Sequence, residues 1–318
     1  MRISVVGTGA VGGYFGGFLS KAGNDVVFLA RGNHFEQMNK DGLTIENEGE
    51  DFIVHKFFSN DYQSLSNTDY VLFCVKSTAT EEVAHALLPI LKPEAIIITL
   101  QNGVDNEEVL GKVFGKERIL SVATYIQASI VAPGVIKQTG LAPRLVIGAL
   151  DHQAIHHVNR LVSLFNEAGV RAKSSDEILK VKWQKLLWNV SFNPLSATTE
   201  TRVGEILSDE GLLKTAKSMC KEAIAVAEKL GISIDNYIYE GIFKNSHLSG
   251  QHNTSMLQDK LNQKPMEIES ICGYIVKKGK ELNIPTPVIE TVYHLLKFQE
   301  SKYPLCYNNE NFDKIARR

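Results

Sequence analysis

Two rhythms divide the chain. Up to about residue 170, short β-rich runs recur at 4–6, 26–29, 70–75, 95–100 and 145–147, separated by amphipathic segments of helix length. Strand and helix in alternation predict a parallel sheet with helices on both faces. From Ser175 onward, the stretches 176–192, 209–230 and 265–282 carry long helical periodicity, and no convincing strand pattern interrupts them. An all-α second part is therefore expected. The change falls in the polar stretch 172–175, where Ser175-Asp176 offers a helix N-cap, so the chain is read as 1–173 followed by 174–318. The stretch after Tyr303, with Asn308, Asn309 and Glu310, reads as a polar tail.

Composition narrows the class. With 44% hydrophobic and 22% charged residues over 318 positions, the whole chain is expected to fold, and its length suits two domains. A net charge of −2, with basic residues scattered, provides no field to hold a polyanion, so nucleic acid is not expected as a partner. Cys74, Cys220, Cys272 and Cys306 are far apart and fit neither a disulfide framework nor a zinc pattern, so no metal is expected and the thiols suit a reducing cytosol. The first strand begins at once with Arg2-Ile3-Ser4, and no apolar run approaches the roughly 18 residues of a membrane span. A cytoplasmic protein without a membrane partner is expected, as a monomer or homodimer.

The first β-to-α turn carries the clearest chemistry. Gly7-Thr8-Gly9-Ala10-Val11-Gly12 follows the first strand and opens a helix running to Gly23. In such a motif the first glycine makes a tight turn, the second lets the backbone approach a pyrophosphate, and the third lets helix and strand pack closely, with the helix N-terminus facing the anion. In an alternating β/α pattern this predicts a Rossmann-type doubly wound sheet binding a dinucleotide, with an all-α C-terminal domain behind it. Where an NAD site places an acid at the end of the second strand, this chain has Ala30-Arg31. A guanidinium pairs with the 2′-phosphate of NADP, which an acid would repel, so NADP(H) is the expected cofactor; a solvated loop arginine is the alternative. Lys76, after the strand at 71–75, is a second candidate for the cofactor phosphate.

Three further segments hold polar groups in apolar surroundings. Gln101-Asn102-Gly103 follows a buried run, which makes Asn102 a site candidate, although Asn-Gly also forms turns unaided. In the stretch 182–194, Lys185, Asn189 and Asn193 recur every fourth residue on a helix that is otherwise apolar on most sides. Burying an ammonium and two amides costs several kcal/mol unless something polar meets them, so the stripe is expected to line a cavity, unless Lys185 reaches out to solvent. A lysine there binds a carboxylate, or gives a proton to a carbonyl oxygen that gains charge as hydride arrives. Pro194 is expected to bend or end this helix. In the third segment, Ser255 reads as a helix cap and Glu267 as a first-turn acid.

Taken in order, Gly7 to Gly12, Arg31, Gln101-Asn102-Gly103, Trp183-Gln184-Lys185, Asn193-Pro194-Leu195 and Ser255-Met256-Leu257-Gln258-Asp259 make the chain resemble the ketopantoate reductase family over nearly its whole length. The resemblance implies NADPH-dependent reduction of 2-dehydropantoate to pantoate, a step of pantothenate and coenzyme A synthesis. It implies Lys185 as proton donor to the keto oxygen, and Glu267, Ser255, Asn102, Asn189 and Asn193 as ligands of the substrate's hydroxyl and carboxylate ends. Arg31 and Lys76 would belong to the NADPH site, with Asn102 beside it, and Glu269 would be an ordinary helix acid. Gln101 departs from members that carry another polar residue there. The alternatives are a reductase of another small 2-keto acid and a non-catalytic NADPH-binding sensor.

Overall fold

The computed structural model describes residues 1–245, 250 and 253–303, so the tail read after Tyr303, with Cys306, lies outside the described residues. Backbone contacts divide the chain into two units, Met1–Lys182 and Trp183–Arg318.

The first unit has twelve strands: β1 (Arg2–Val6), β2 (Asp25–Leu29), β3 (Leu43–Glu46), β4 (Phe52–Val54), β5 (Phe57–Ser59), β6 (Tyr70–Phe73), β7 (Ile96–Thr99), β8 (Ile119–Tyr125), β9 (Ala128–Ala132), β10 (Val135–Gln138), β11 (Arg144–Ala149) and β12 (Arg171–Ser174). Between them lie α1 (Ala10–Lys21), α2 (Gly32–Asp41), α3 (Thr80–Leu87), α4 (Asn106–Phe114) and α5 (Ile155–Glu167). Eight strands form the main sheet in the order β12-β11-β8-β7-β6-β1-β2-β5. From β5 to β8 all neighbours are parallel; β11 is antiparallel to β8 and parallel to β12. The chain runs outward from β1 through β2 and then returns to β6 on β1's other side. This reversal makes the carboxyl ends of β1 and β6 the switch point where such sheets open a crevice for ligands.

Helices cover both faces of the sheet, which is why β6 and β7 are buried at every position rather than at alternate ones. On one face Ile3, Val5, Phe28, Leu72 and Ile98 pack with Phe15 and Leu19 of α1 and Phe165 of α5, the two phenylalanine rings meeting edge to face at 6.0 Å. On the other face Ser121 of β8 donates to Glu107 of α4.

A second sheet, β4-β3-β10-β9, was not foreseen. Its strands are three to five residues long and β9 is mostly exposed; β3 alternates as Leu43-Thr44-Ile45-Glu46, but four residues are too short a run to stand out.

The division between units falls inside α6 (Ile178–Thr199), beyond the change of pattern read between 173 and 174. Ile178, in the first turn of α6, still packs with Ala123 and Val146 of the sheet, and the largely exposed β12 pairs with β11.

Beyond Lys182 every regular element described is helical: the rest of α6, α7 (Val203–Ser208), α8 (Glu210–Lys229), α9 (Asn236–Asn245), α10 (Ser255–Leu261), α11 (Tyr274–Leu282) and α12 (Pro287–Glu300). Two readings of the helices are narrowed here. Pro194 does not end α6, which continues to Thr199, because Leu195, Ser196 and Ala197 are buried on the far side and packing outweighs one missing backbone donor. The stretch 265–282 is not one regular helix either: Glu269–Gly273 forms a π-helical turn ahead of α11.

Candidate active site

In the first unit, one group of candidates gathers where β1, β2, β6 and β7 end. Gly7 follows β1 with φ +91°, and a Cβ there would stand 2.7 Å from the Val75 backbone nitrogen, so the turn admits only glycine. A Cβ on Gly12 would lie 2.4 Å from the Gly7 carbonyl oxygen and 2.9 Å from Val5, which is the price of seating α1 so closely on β1. Gly9 differs from both, since a Cβ on it would meet nothing within 4 Å. The protein's own packing does not need that glycine. It caps α1 in extended conformation with no side-chain cap, and no acid stands in the first turn, where Ala10 and Val11 are half-buried. An uncapped helix N-terminus beside open space suits a pyrophosphate, so the residues present fit a dinucleotide.

Thr8 contributes less than the motif suggests. Its backbone N–H (3.0 Å) and its hydroxyl (2.9 Å) both donate to the Leu29 carbonyl, so its donors serve to tie the glycine turn to the end of β2. Arg31 stands exposed as the N-cap residue of α2. Burial and Glu82 push the nearby Tyr62 phenol up while Arg31 pulls it down, which makes Arg31 and Tyr62 neighbours. Lys76 is exposed just beyond β6, and Asn102 is half-buried just beyond β7.

Behind Asn102 lies a buried polar network that sequence reasoning missed. Lys182 Nζ is 3.0 Å from Glu107 Oε1, with side chains 2% and 3% exposed, and donates to the Gln101 carbonyl at 2.7 Å. The Gln101 amide donates to the Val75 carbonyl (2.9 Å) and to Thr80 Oγ1 (2.7 Å). Thr80 in turn donates to Asn106, whose own amide donates to the Asn102 carbonyl at 2.8 Å. The one signal available beforehand was a charged residue, Lys182, at the start of an otherwise apolar stretch.

A second group of candidates lies in the second unit. Lys185 is half-buried, whereas Asn189 and Asn193 are only 6% and 4% exposed. Asn193 Oδ1 is buried with no hydrogen-bond partner among the described residues, an arrangement that costs about 1–3 kcal/mol when nothing meets the group. Two contacts tie neighbouring helices to α6. Trp183 packs against Tyr274, at the start of α11, with ring centroids 6.2 Å apart. At the far end of α6, Lys260 of α10 donates to the Ala197 carbonyl at 2.7 Å.

Ser255 opens α10 and is exposed, but the cap is Thr254, whose hydroxyl accepts from the Leu257 N–H. Glu267 precedes the π-helical turn, and the neighbouring Met266 N–H donates to Glu300 at 2.7 Å. Glu269, with its side chain about half exposed, accepts from the Tyr293 hydroxyl at 3.0 Å and pairs with Lys297 at 3.0 Å. Burial and this carboxylate push Tyr293 up to about 12. No described helix is long and apolar enough to cross a membrane.

Comparison with known proteins places the chain in a family. Residues 3–152 match the family model described as "Ketopantoate reductase PanE/ApbA", and 177–300 match its C-terminal counterpart. A 2-dehydropantoate 2-reductase from Mesorhizobium japonicum is 30% identical, covering 93% of this chain and 97% of its own. A PanE/ApbA family ketopantoate reductase structure from Ralstonia eutropha superposes with a TM-score of 0.89 at 32% identity, over 95% of this chain and 99% of that one. A D-mandelate dehydrogenase bound to NADH and anilino(oxo)acetate shares the fold, with a TM-score of 0.88 at 23% identity over 95% of this chain and 99% of that one. Matched across both of its parts, the chain belongs to the ketopantoate reductase family of nicotinamide-dependent oxidoreductases.

Proposed function

We propose that the protein reduces 2-dehydropantoate to pantoate with NADPH. The observation that carries the reading is the α6 stripe: a half-buried ammonium and two buried amides on one face, with Asn193 Oδ1 meeting no hydrogen-bond partner among the described residues. Such groups are retained at the cost of stability when a polar ligand completes them.

When bound, the reduced nicotinamide supplies the hydride that reduces the C2 carbonyl. Lys185 holds a proton at Nζ and gives it to the carbonyl oxygen as charge develops there, so hydride and proton together complete the alcohol. Asn102, Asn189, Asn193, Ser255 and Glu267 hold the hydroxyl and carboxylate ends, orienting one face of the ketone. Gly7, Thr8, Gly9, Ala10, Val11 and Gly12 form the pyrophosphate turn, with Arg31 and Lys76 toward the 2′-phosphate.

The test is the loss of reduced-nicotinamide absorbance when purified protein and NADPH meet 2-dehydropantoate, with NADH and other 2-keto acids, phenylglyoxylate among them, in parallel. Fast turnover selective for NADPH and 2-dehydropantoate is expected. Preference for another keto acid would reassign the substrate, and NADPH binding with no turnover of any would leave a sensor.

A further inference from the structure

We propose that Lys182 and Glu107 are a buried positioning pair that holds the Gln101-Asn102 loop in the shape the reaction needs; this rests on the reading of Asn102 as a substrate ligand. The observation is the convergence of two side-chain donors on two consecutive loop carbonyls. Lys182 Nζ holds Gln101 O at 2.7 Å and Asn106 Nδ2 holds Asn102 O at 2.8 Å. Gln101 itself is clamped to Val75 and Thr80, so the loop after β7 is also locked to the residue before Lys76. The structure thereby ties a substrate candidate and a cofactor candidate into one buried hydrogen-bonded frame.

Stability alone does not account for the pair. A buried ion pair roughly breaks even with apolar side chains of similar size unless every lone pair is met. Here Glu107 Oε1 takes both Lys182 and Ser121, while Oε2 is buried with no partner among the described residues. An arrangement optimised for stability would satisfy both oxygens or dispense with the charges. What this one does achieve is to aim an ammonium at a backbone carbonyl in a loop that contributes neither strand nor helix. Gly103 follows Asn102 with φ +83°, so the backbone reverses immediately beyond the held carbonyls. A side chain placed by such a loop drifts if the carbonyls are released, and a misplacement of about 1 Å near reacting atoms costs on the order of 100-fold in rate.

The test replaces both charges together, Lys182→Met with Glu107→Leu, because removing one alone would strand the other in the interior. In the NADPH-bound protein, hydrogen exchange at the backbone amides of 102–105 is expected to speed up at least roughly tenfold, with the rest of the sheet unchanged. kcat should fall about 10- to 100-fold while the NADPH Kd stays within about twofold, the split expected of a positioning role. The neutral pair Lys182→Gln with Glu107→Gln keeps a shorter donor toward the Gln101 carbonyl and should lose clearly less of kcat than the apolar pair. It also serves if the apolar pair does not fold, since slower turnover with faster loop exchange is then expected in milder form. Wild-type exchange and wild-type kcat in a folded variant would overturn the proposal, leaving the pair as filler. If the unaltered protein reduces no keto acid, the functional reading fails instead, and the exchange data still decide whether the pair holds the loop.

Discussion

Lys182 and Lys185 stand one turn apart on α6, yet the first is 3% exposed and bonded inside the protein while the second is only half-buried. That contrast makes Lys185, the more exposed of the two, the one proposed to act on a ligand. Lys185→Ala is expected to lower kcat by at least about 10²-fold with NADPH affinity unchanged, measured by steady-state kinetics beside cofactor titration; near wild-type turnover would remove the proton-donor role. Arg31→Ala should weaken NADPH roughly tenfold or more and leave NADH nearly untouched, because only the phosphate offers the guanidinium a second charge. Equal losses for both dinucleotides would show that Arg31 does not read the phosphate. At this scale the candidates were legible where residue type and spacing suffice, as in the Lys185, Asn189, Asn193 stripe. They were not legible where the partner is distant: Lys182 meets a carbonyl 81 positions away.

Among the elements, α1 shows most directly how local sequence becomes a binding surface. Gly12 brings the helix against β1, and its first turn, lacking a side-chain cap, opens beside Gly9. Gly12→Ala must push α1 off the Gly7 carbonyl, and it is expected to cost about 1–3 kcal/mol in denaturant unfolding and to weaken NADPH binding as well. An unchanged midpoint would mean that α1 has room the structure denies it. This element was readable in advance because a turn of six residues and a helix start are short-range matters. Helix α6 was readable only in part, since Pro194 signals a break and the burial of Leu195 to Ala197 overrides it. Likewise Ser255 and Thr254 are equal as caps on paper, and only the bond to Leu257 separates them.

At the scale of the whole molecule, stability should depend on pH through groups far from the site. His157 Nδ1 lies 2.7 Å from the Tyr70 hydroxyl, and burial, with His156 and Arg160 nearby, lowers its pKa from the ordinary value of 6.5. The unfolded chain then binds this proton more readily than the folded one, so the contribution is full above about pH 6.5 and is lost as pH falls toward the folded value. Unfolding midpoints measured on either side of that window should show the loss, and His157→Gln should flatten it; an unaltered slope would assign the effect elsewhere. The sequence by itself determined the alternation of strands and helices in the main sheet, the helical second part, the glycine turn, the absence of an acid after β2 and the polar stripe on α6. These depend on steric preferences and side-chain periodicity acting over a few residues. Only the tertiary structure decided that Thr8 gives its donors to Leu29, that Glu107 and Lys182 meet in the interior, and that Asn193 keeps an acceptor unmatched among the described residues. Those outcomes depend on which distant segments exclude water from one another, and the cost of burying a polar group is set by the neighbours that long-range packing brings to it.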